Sequence, residues 1–217
     1  MPRPTWDNLA EPRRERVLAA AMAEFAARGF SGGSLNVIAR EADVAKGSLF
    51  QYFDDKLDLF AYVCDVTSRR IRDEVVVQSL TLDPDLPVFD YLAGVLRVWV
   101  DYFRDHPVER GVTAATNLEM DGEVRAAVRE VAGRHYLEFV MPLLVAAQEH
   151  GDLRPDADLD ALAASLLLLA PHLALAPYLP GLDPVLGLYG ADPDTLDRTI
   201  DRLVAPLRAA YASMEDA

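Results

Sequence analysis

Residues 38–56 read Ile38-Ala39-Arg40-Glu41-Ala42-Asp43-Val44-Ala45-Lys46-Gly47-Ser48-Leu49-Phe50-Gln51-Tyr52-Phe53-Asp54-Asp55-Lys56. The pattern predicts two short helices joined by a tight turn. Ser34 is placed to N-cap the first, which runs through Ala42. Asp43-Val44 makes the turn, and the second helix runs from about Ala45 to Tyr52. Ile38 and Ala39 face inward on the first helix, Val44 fills the turn, and Leu49 and Phe53 continue the core. Ala39 is small enough for the helices to cross closely. Lys46, Gly47, Ser48, Gln51 and Tyr52 then face outward: one cation, two small residues and hydrogen-bonding tips. Such a face fits a DNA major groove. Gly47 is costly inside a helix, and a close approach of backbone to DNA would explain it.

The flanking sequence is helical as well. Upstream, Val17, Ala20, Ala21 and Phe25 recur at helical spacing over Pro12 to Arg28, and Gly29 suits the position just past a helix end. Downstream, Asp55 can cap a long helix from Lys56 to about Ser79. Further helices are predicted from about Pro87 to Asp105, Pro107 to Glu119, Asp121 to His150, Asp158 to Tyr178 and Asp194 to Ser213. Pro142 and Pro171 are expected to bend the helices that contain them. No period-2 strand is legible, so the predicted fold class is all-α. An N-terminal three-helix domain precedes a larger helical one.

Composition sets limits on function. The chain has 217 residues and a formal net charge of −14, which excludes nucleic-acid binding over the whole surface. Residues 1–56 nonetheless carry eight Lys/Arg and eight Asp/Glu, so the acidic excess lies entirely after residue 56. An N-terminal module can approach phosphate while the rest faces away. The single cysteine, Cys64, rules out a disulfide within the chain and gives no support for an oxidising compartment. The four histidines are far apart, and no Cys/His spacing suggests zinc. No metal and no cofactor is expected. The first residues lack an apolar signal-peptide core, so a cytoplasmic protein is expected. Ala161 to Leu182 contains no Asp, Glu, Lys or Arg. Acidic flanks and Pro171, Pro177 and Pro180 argue against a membrane span and for a helix buried against a neighbour.

The quoted stretch resembles the signature of the TetR family of bacterial transcriptional repressors, approximately I-A-x-x-A-G-V-S-K-G-T-L-Y-x-Y-F-x-x-K. The likeness extends back through Phe25, Gly29, Phe30 and Ser34 and covers about residues 12–60. Asp43 stands where the turn glycine is usual, and aspartate tolerates turn backbone. Ala45 stands where Ser or Thr is usual, which removes an N-cap. The resemblance implies a helix-turn-helix DNA-binding domain over 1–55 and a ligand-binding and dimerisation domain over 56–217. It implies phosphate contacts from Ser34, Lys46, Tyr52 and Lys56. Gly47, Ser48, Phe50 and Gln51 are then positioned for bases or nearby backbone. Arg3 is expected in a disordered terminus, with a minor-groove arm as the alternative.

The resemblance further implies a homodimer enclosing ligand pockets. The uncharged 161–182 segment needs a partner surface, and the last helix offers Leu196, Ile200, Leu203, Val204, Leu207 and Tyr211 as an amphipathic companion. Candidate pocket residues on the middle helices are Tyr62, Trp99, Tyr102, Phe103, Asn117, His135, Phe139 and Met141. The expected effector is small and largely apolar or aromatic. The expected partners are thus palindromic double-stranded DNA, a second copy of the chain and this effector. Two alternatives stay open: an enzyme or small-molecule binding protein without a DNA role, and a helix-turn-helix protein that serves only as a protein-interaction dimer. No nucleophile–base pair, metal cluster or phosphate-cradling loop supports catalysis.

Overall fold

The computed structural model describes residues 2–213. Ten helices follow one another among them: α1 (Pro4–Asp7), α2 (Glu11–Gly32), α3 (Leu35–Glu41), α4 (Lys46–Tyr52), α5 (Lys56–Ser79), α6 (Val88–Asp105), α7 (Pro107–Asn117), α8 (Gly122–His150), α9 (Leu159–Leu175) and α10 (Pro193–Tyr211). The all-α reading therefore holds. The described residues contain no strand, only an isolated antiparallel bridge between Leu153 and Ala212. None of the described helices is long and apolar enough to cross a membrane.

The chain divides into two compact units. One comprises the chain up to Arg70 with His106–Arg134; the other comprises Ile71–Asp105 with the chain from His135 onward.

The first unit is built around α2. Val17, Ala21 and Phe25 recur every four residues and are fully buried, as expected of one stripe of a helix. Gly29 takes φ 65° and ψ −175°, which interrupts the helix before its last residues. Only glycine accepts that backbone at little cost. The helix thus resumes beyond the end expected at Arg28. The Lys56 ammonium donates to the carbonyls of Phe30 at 2.8 Å and Gly33 at 3.2 Å. It also stands 4.4 Å from the centre of the Phe30 ring. A single cation thereby binds two carbonyls at the helix end, and that of Phe30 also accepts from the Gly33 N–H at 3.2 Å. On the other flank α7 lies along α2.

The N-terminus differs from expectation. Residues around Arg3 are ordered: Pro4 starts α1, and Trp6 is 1% exposed. Its indole packs 5.0 Å from Phe53 and 5.4 Å from Tyr62, and Nε1 donates to the Tyr62 hydroxyl at 2.9 Å. A four-residue turn is too short to show periodicity, so nothing local announces it.

The second unit centres on α6. Phe89, Leu92, Leu96, Trp99 and Phe103 all lie buried, as the stripe predicts. α9 packs on one side of α6 and α10 on another. Trp99 Nε1 donates to the Ala170 carbonyl of α9 at 2.7 Å. Arg97 pairs with Asp201 and Arg208 with Asp90 across the α6–α10 contact. Asp158 caps α9 by accepting from the Ala161 N–H at 3.0 Å, and Asp192 caps α10 by accepting from the Thr195 N–H at 2.7 Å. α8 continues through Pro142 and α9 through Pro171. α9 stops at Leu175, three residues short of the expected Tyr178. The segment that follows is shaped by Asp183, which accepts from the N–H groups of Val185, Leu186 and Leu188.

The apolar face of α10 is divided. Leu196, Ile200 and Val204 are buried within the chain's own second unit. Leu203, Leu207 and Tyr211 keep part of their surface free. Leu168 on α9 is 73% exposed, and Val185 and Tyr189 in the following segment are 82% and 59% exposed.

Candidate nucleic-acid interface and apolar cavity

α3 and α4 form a helix-turn-helix. Ile38, Ala39, Ala42, Leu49 and Phe53 are all 3% exposed or less, so the predicted inner face is the observed one. The turn closes through the Val44 N–H to the Ala39 carbonyl at 2.9 Å. Asp43 adopts φ 54°, the left-handed conformation that the usual glycine would take freely. Aspartate is among the few side chains that accept it.

Neither helix has a side-chain N-cap. Ala45 carries no acceptor, as its identity dictates. Ser34 stands at the cap position of α3, yet its side chain makes no cap bond. Its N–H instead donates to the Glu24 carboxylate at 3.0 Å. The first N–H groups of a helix have no intrahelical acceptor. At α4 they are left without a side-chain cap, a polarity that suits an anion such as phosphate.

Lys46, Gly47, Phe50 and Gln51 are exposed, and Ser48 is half-buried. They form a continuous outer face of α4. A Cβ built at Gly47 would meet nothing within 4 Å. Nothing inside the molecule therefore requires glycine there. Tyr52 is the correction. It was expected to point outward but is 6% exposed, with its ring 5.7 Å from Trp6. The arrival of Trp6 from α1 turns that flank of α4 into core. Lys56 is likewise committed in part, since two of the three donors of an ammonium are taken by Phe30 and Gly33.

Within the second unit lies a cavity of about 70 Å³. Val75, Leu92, Val95, Leu96, Trp99, Tyr136, Phe139, Val140, Leu166, Leu167 and Ala170 line it, with Arg72 as the one charged side chain. The Arg72 guanidinium is engaged by Asp73 at 2.8 Å, by Glu138 and by the His135 Nδ1 at 3.2 Å. The Asp73 hydrogen bond and the charges of Asp73 and Glu138 raise its pKa above the ordinary value, although burial opposes them. The His135 Nδ1 also stands 3.5 Å from the Glu138 carboxylate.

Of the pocket residues expected from sequence, Trp99 and Phe139 line this cavity. Tyr102, Phe103, His135 and Met141 belong to the same unit without lining it. Tyr62 and Asn117 lie in the first unit, where Tyr62 accepts from Trp6, and Asn117 donates to the Thr113 carbonyl and accepts from Arg129. The stripe containing Leu92, Leu96 and Trp99 was the available signal for part of the missed lining. Leu166, Leu167 and Ala170 had no sequence signal separating cavity from core.

Residues 17–63, which span the helix-turn-helix, match the model of the bacterial regulatory proteins of the tetR family. Over 97 residues the chain is 32% identical to the HTH-type transcriptional repressor SCO4008 of Streptomyces coelicolor, covering 45% of each chain. It is 28% identical over 153 residues to the probable acrEF/envCD operon repressor of Escherichia coli K12, covering 68% of this chain and 67% of that one. The chain thus spans less than half the length of the first relative and about two thirds of the second. Among solved structures, a TetR family transcriptional regulator from Chloroflexus aurantiacus superposes with a TM-score of 0.62 at 21% identity, covering 98% of this chain and 99% of that one. That likeness extends the shared fold beyond the helix-turn-helix to almost the whole chain. The motif and its turn geometry agree with the helix-turn-helix of the tetR family of bacterial regulatory proteins over residues 17–63, and the fold is shared with that solved regulator over almost the whole chain.

Proposed function

We propose that this chain is a cytoplasmic, homodimeric transcriptional repressor. It grips a palindromic operator through α4 and is released by a small, largely apolar or aromatic effector. Residues 1–55 serve as the DNA-binding domain and 56–217 as the ligand-binding and dimerisation domain. Gly47 carries the DNA reading. It costs a helix about 1 kcal/mol relative to alanine, sits on an exposed face, and has open space where a side chain would go. A bound partner that brings its backbone close supplies the missing reason. Lys46 gives sequence-independent attraction to phosphate, while Ser48, Phe50 and Gln51 face base edges. Ser34 meets phosphate at the start of α3. Tyr52 and Lys56 hold the face from behind, Tyr52 by packing and Lys56 by fixing the end of α2, with one donor left for phosphate.

The two curated relatives named above are repressors, which favours repression as the sign of control. Two recognition helices must stand about 34–36 Å apart to read adjacent major-groove segments, so a dimer is required. The surface left on α9 and α10 by Leu168, Leu203, Leu207 and Tyr211 is offered for that contact. The effector occupies the cavity of Trp99 and Phe139. The continuous α5 begins at Lys56 and carries Arg72 and Val75 of the cavity wall, so a shift in that helix reaches the DNA domain. The effector acts only through unequal affinity for the two states.

Operator selection from a random duplex pool, followed by anisotropy titration, tests the proposal. Lys46→Ala should weaken all sequences alike and flatten the salt dependence, whereas Gln51→Ala should change the preferred sequence. Absence of any specific duplex would refute the reading. Trp99 lines the cavity, so indole fluorescence of the wild type, with Trp99→Phe as the control, reads binding there. Quenching of that signal by apolar aromatic compounds, together with loss of operator affinity, identifies effectors.

A further inference from the structure

We infer that Arg3, Thr5 and Trp6 form a strap that fixes the last turn of α4 and shields Asp54, making the N-terminal segment a positioning element of the DNA-reading face. The functional half of this inference rests on the DNA reading above. The final carbonyls of a helix have no partner within it, and a helix of seven residues is marginal without outside support. At the end of α4 three successive carbonyls are satisfied by the strap. The Arg3 guanidinium donates to the Phe50 carbonyl at 2.9 Å. The Thr5 hydroxyl donates to the Gln51 carbonyl. The Arg3 backbone N–H donates to the Tyr52 carbonyl at 2.8 Å. A C-cap is thus delivered by residues almost fifty positions away.

The strap is held by packing on one side and by charge on the other. Trp6 is buried among Tyr52, Phe53 and Tyr62. Pro4 at the start of α1 favours the extended backbone that Arg3 adopts, φ −74° and ψ 156°. The Arg3 Nε donates to Asp54 Oδ1 at 2.8 Å. Asp54 lies two residues beyond α4 and its side chain is 67% exposed. An unpaired carboxylate there would repel the phosphates that α4 approaches; Arg3 cancels that charge while its guanidinium also reaches Phe50. An exposed ion pair alone would add little to folding, so its effect on DNA is the larger of its consequences.

The test uses the full-length chain with Arg3→Ala, Thr5→Val, Asp54→Asn and the double variant Arg3→Ala/Asp54→Asn. Circular dichroism confirms folding of each, and Trp6 is left intact because its removal risks unfolding. Hydrogen exchange on the free protein reads the cap. Arg3→Ala and Thr5→Val should each speed exchange of the amides of Phe50 to Phe53 by about fivefold or more while leaving α6 unchanged. Anisotropy with the duplex selected by the wild type reads the charge. Arg3→Ala should weaken binding by about three- to tenfold. Adding Asp54→Asn should restore most of that affinity without restoring amide protection, which a purely structural role of Arg3 would not produce. Wild-type exchange in both Arg3→Ala and Thr5→Val overturns the strap, whatever the DNA result. Failure of Asp54→Asn to restore affinity overturns the shielding. If the wild type selects no duplex, the DNA proposal fails and shielding falls with it, while the exchange data still decide the cap.

Discussion

Gly111 of α7 crosses Ala26 of α2 so closely that a Cβ on the glycine would stand 2.6 Å from the Ala26 Cβ and 2.8 Å from its carbonyl oxygen. Both groups are rigid, so the space cannot be made by rotating a side chain. Gly111→Ala should therefore destabilise the protein by about 1–3 kcal/mol, seen as a lower thermal midpoint. Ala26→Gly in the Gly111→Ala background should return part of the loss. A Gly111→Ala variant as stable as the wild type would mean that the helices do not cross this closely.

Gly47 presents the opposite case. A methyl group there meets nothing in the protein. Gly47→Ala should stabilise the chain by about 0.5–1 kcal/mol while weakening operator binding by about tenfold or more. Chemical denaturation and anisotropy titration on the same preparation check the two signs. If both stability and affinity rise, the surface of α4 at Gly47 does not approach DNA.

Asp183 organises the segment after α9. Its pKa is lowered from 3.8 to about 2, chiefly by the Leu186 N–H, then by those of Leu188 and Val185, with the nearby His172 adding a favourable charge. A carboxylate with a depressed pKa stabilises the fold fully above its unfolded value. That contribution fades as pH falls from about 4 toward 2. Local exchange at Val185, Leu186 and Leu188 should rise across that window before the helices melt. In Asp183→Asn the same amides should already exchange faster at neutral pH, and their acid response should vanish.

Cys64 is 1% exposed, and its thiol shares a 3.2 Å hydrogen bond with the Thr116 hydroxyl. Burial pushes its pKa up to about 12, outweighing the Thr116 hydrogen bond that lowers it. The reactive thiolate is therefore scarce at ordinary pH. Native protein at pH 8 should resist thiol-disulfide reagents for as long as it stays folded and react at once in denaturant. Rapid labelling of the native chain would show that this part of the core opens.

The sequence by itself determined the helix-turn-helix and the all-α class. Each is written in short-range patterns: Ile38, Ala39, Leu49 and Phe53 set the inner face, Asp43 tolerates the turn, and Ala45 removes the cap. Periodicity also marked the α6 stripe correctly, because burial of one helix face depends on spacing within that helix. Tertiary structure alone decided which neighbour each face meets. It sent Tyr52 inward because Trp6 arrives from the N-terminus, and it drew Arg3 to Phe50 and Asp54. It closed Leu196, Ile200 and Val204 against their own chain, and it separated Trp99 and Phe139 at the cavity from Tyr62 and Asn117 in the other unit. Apolar spacing says that a residue is covered, but the covering surface comes from residues far away in the chain, and their arrival is a property of the folded molecule.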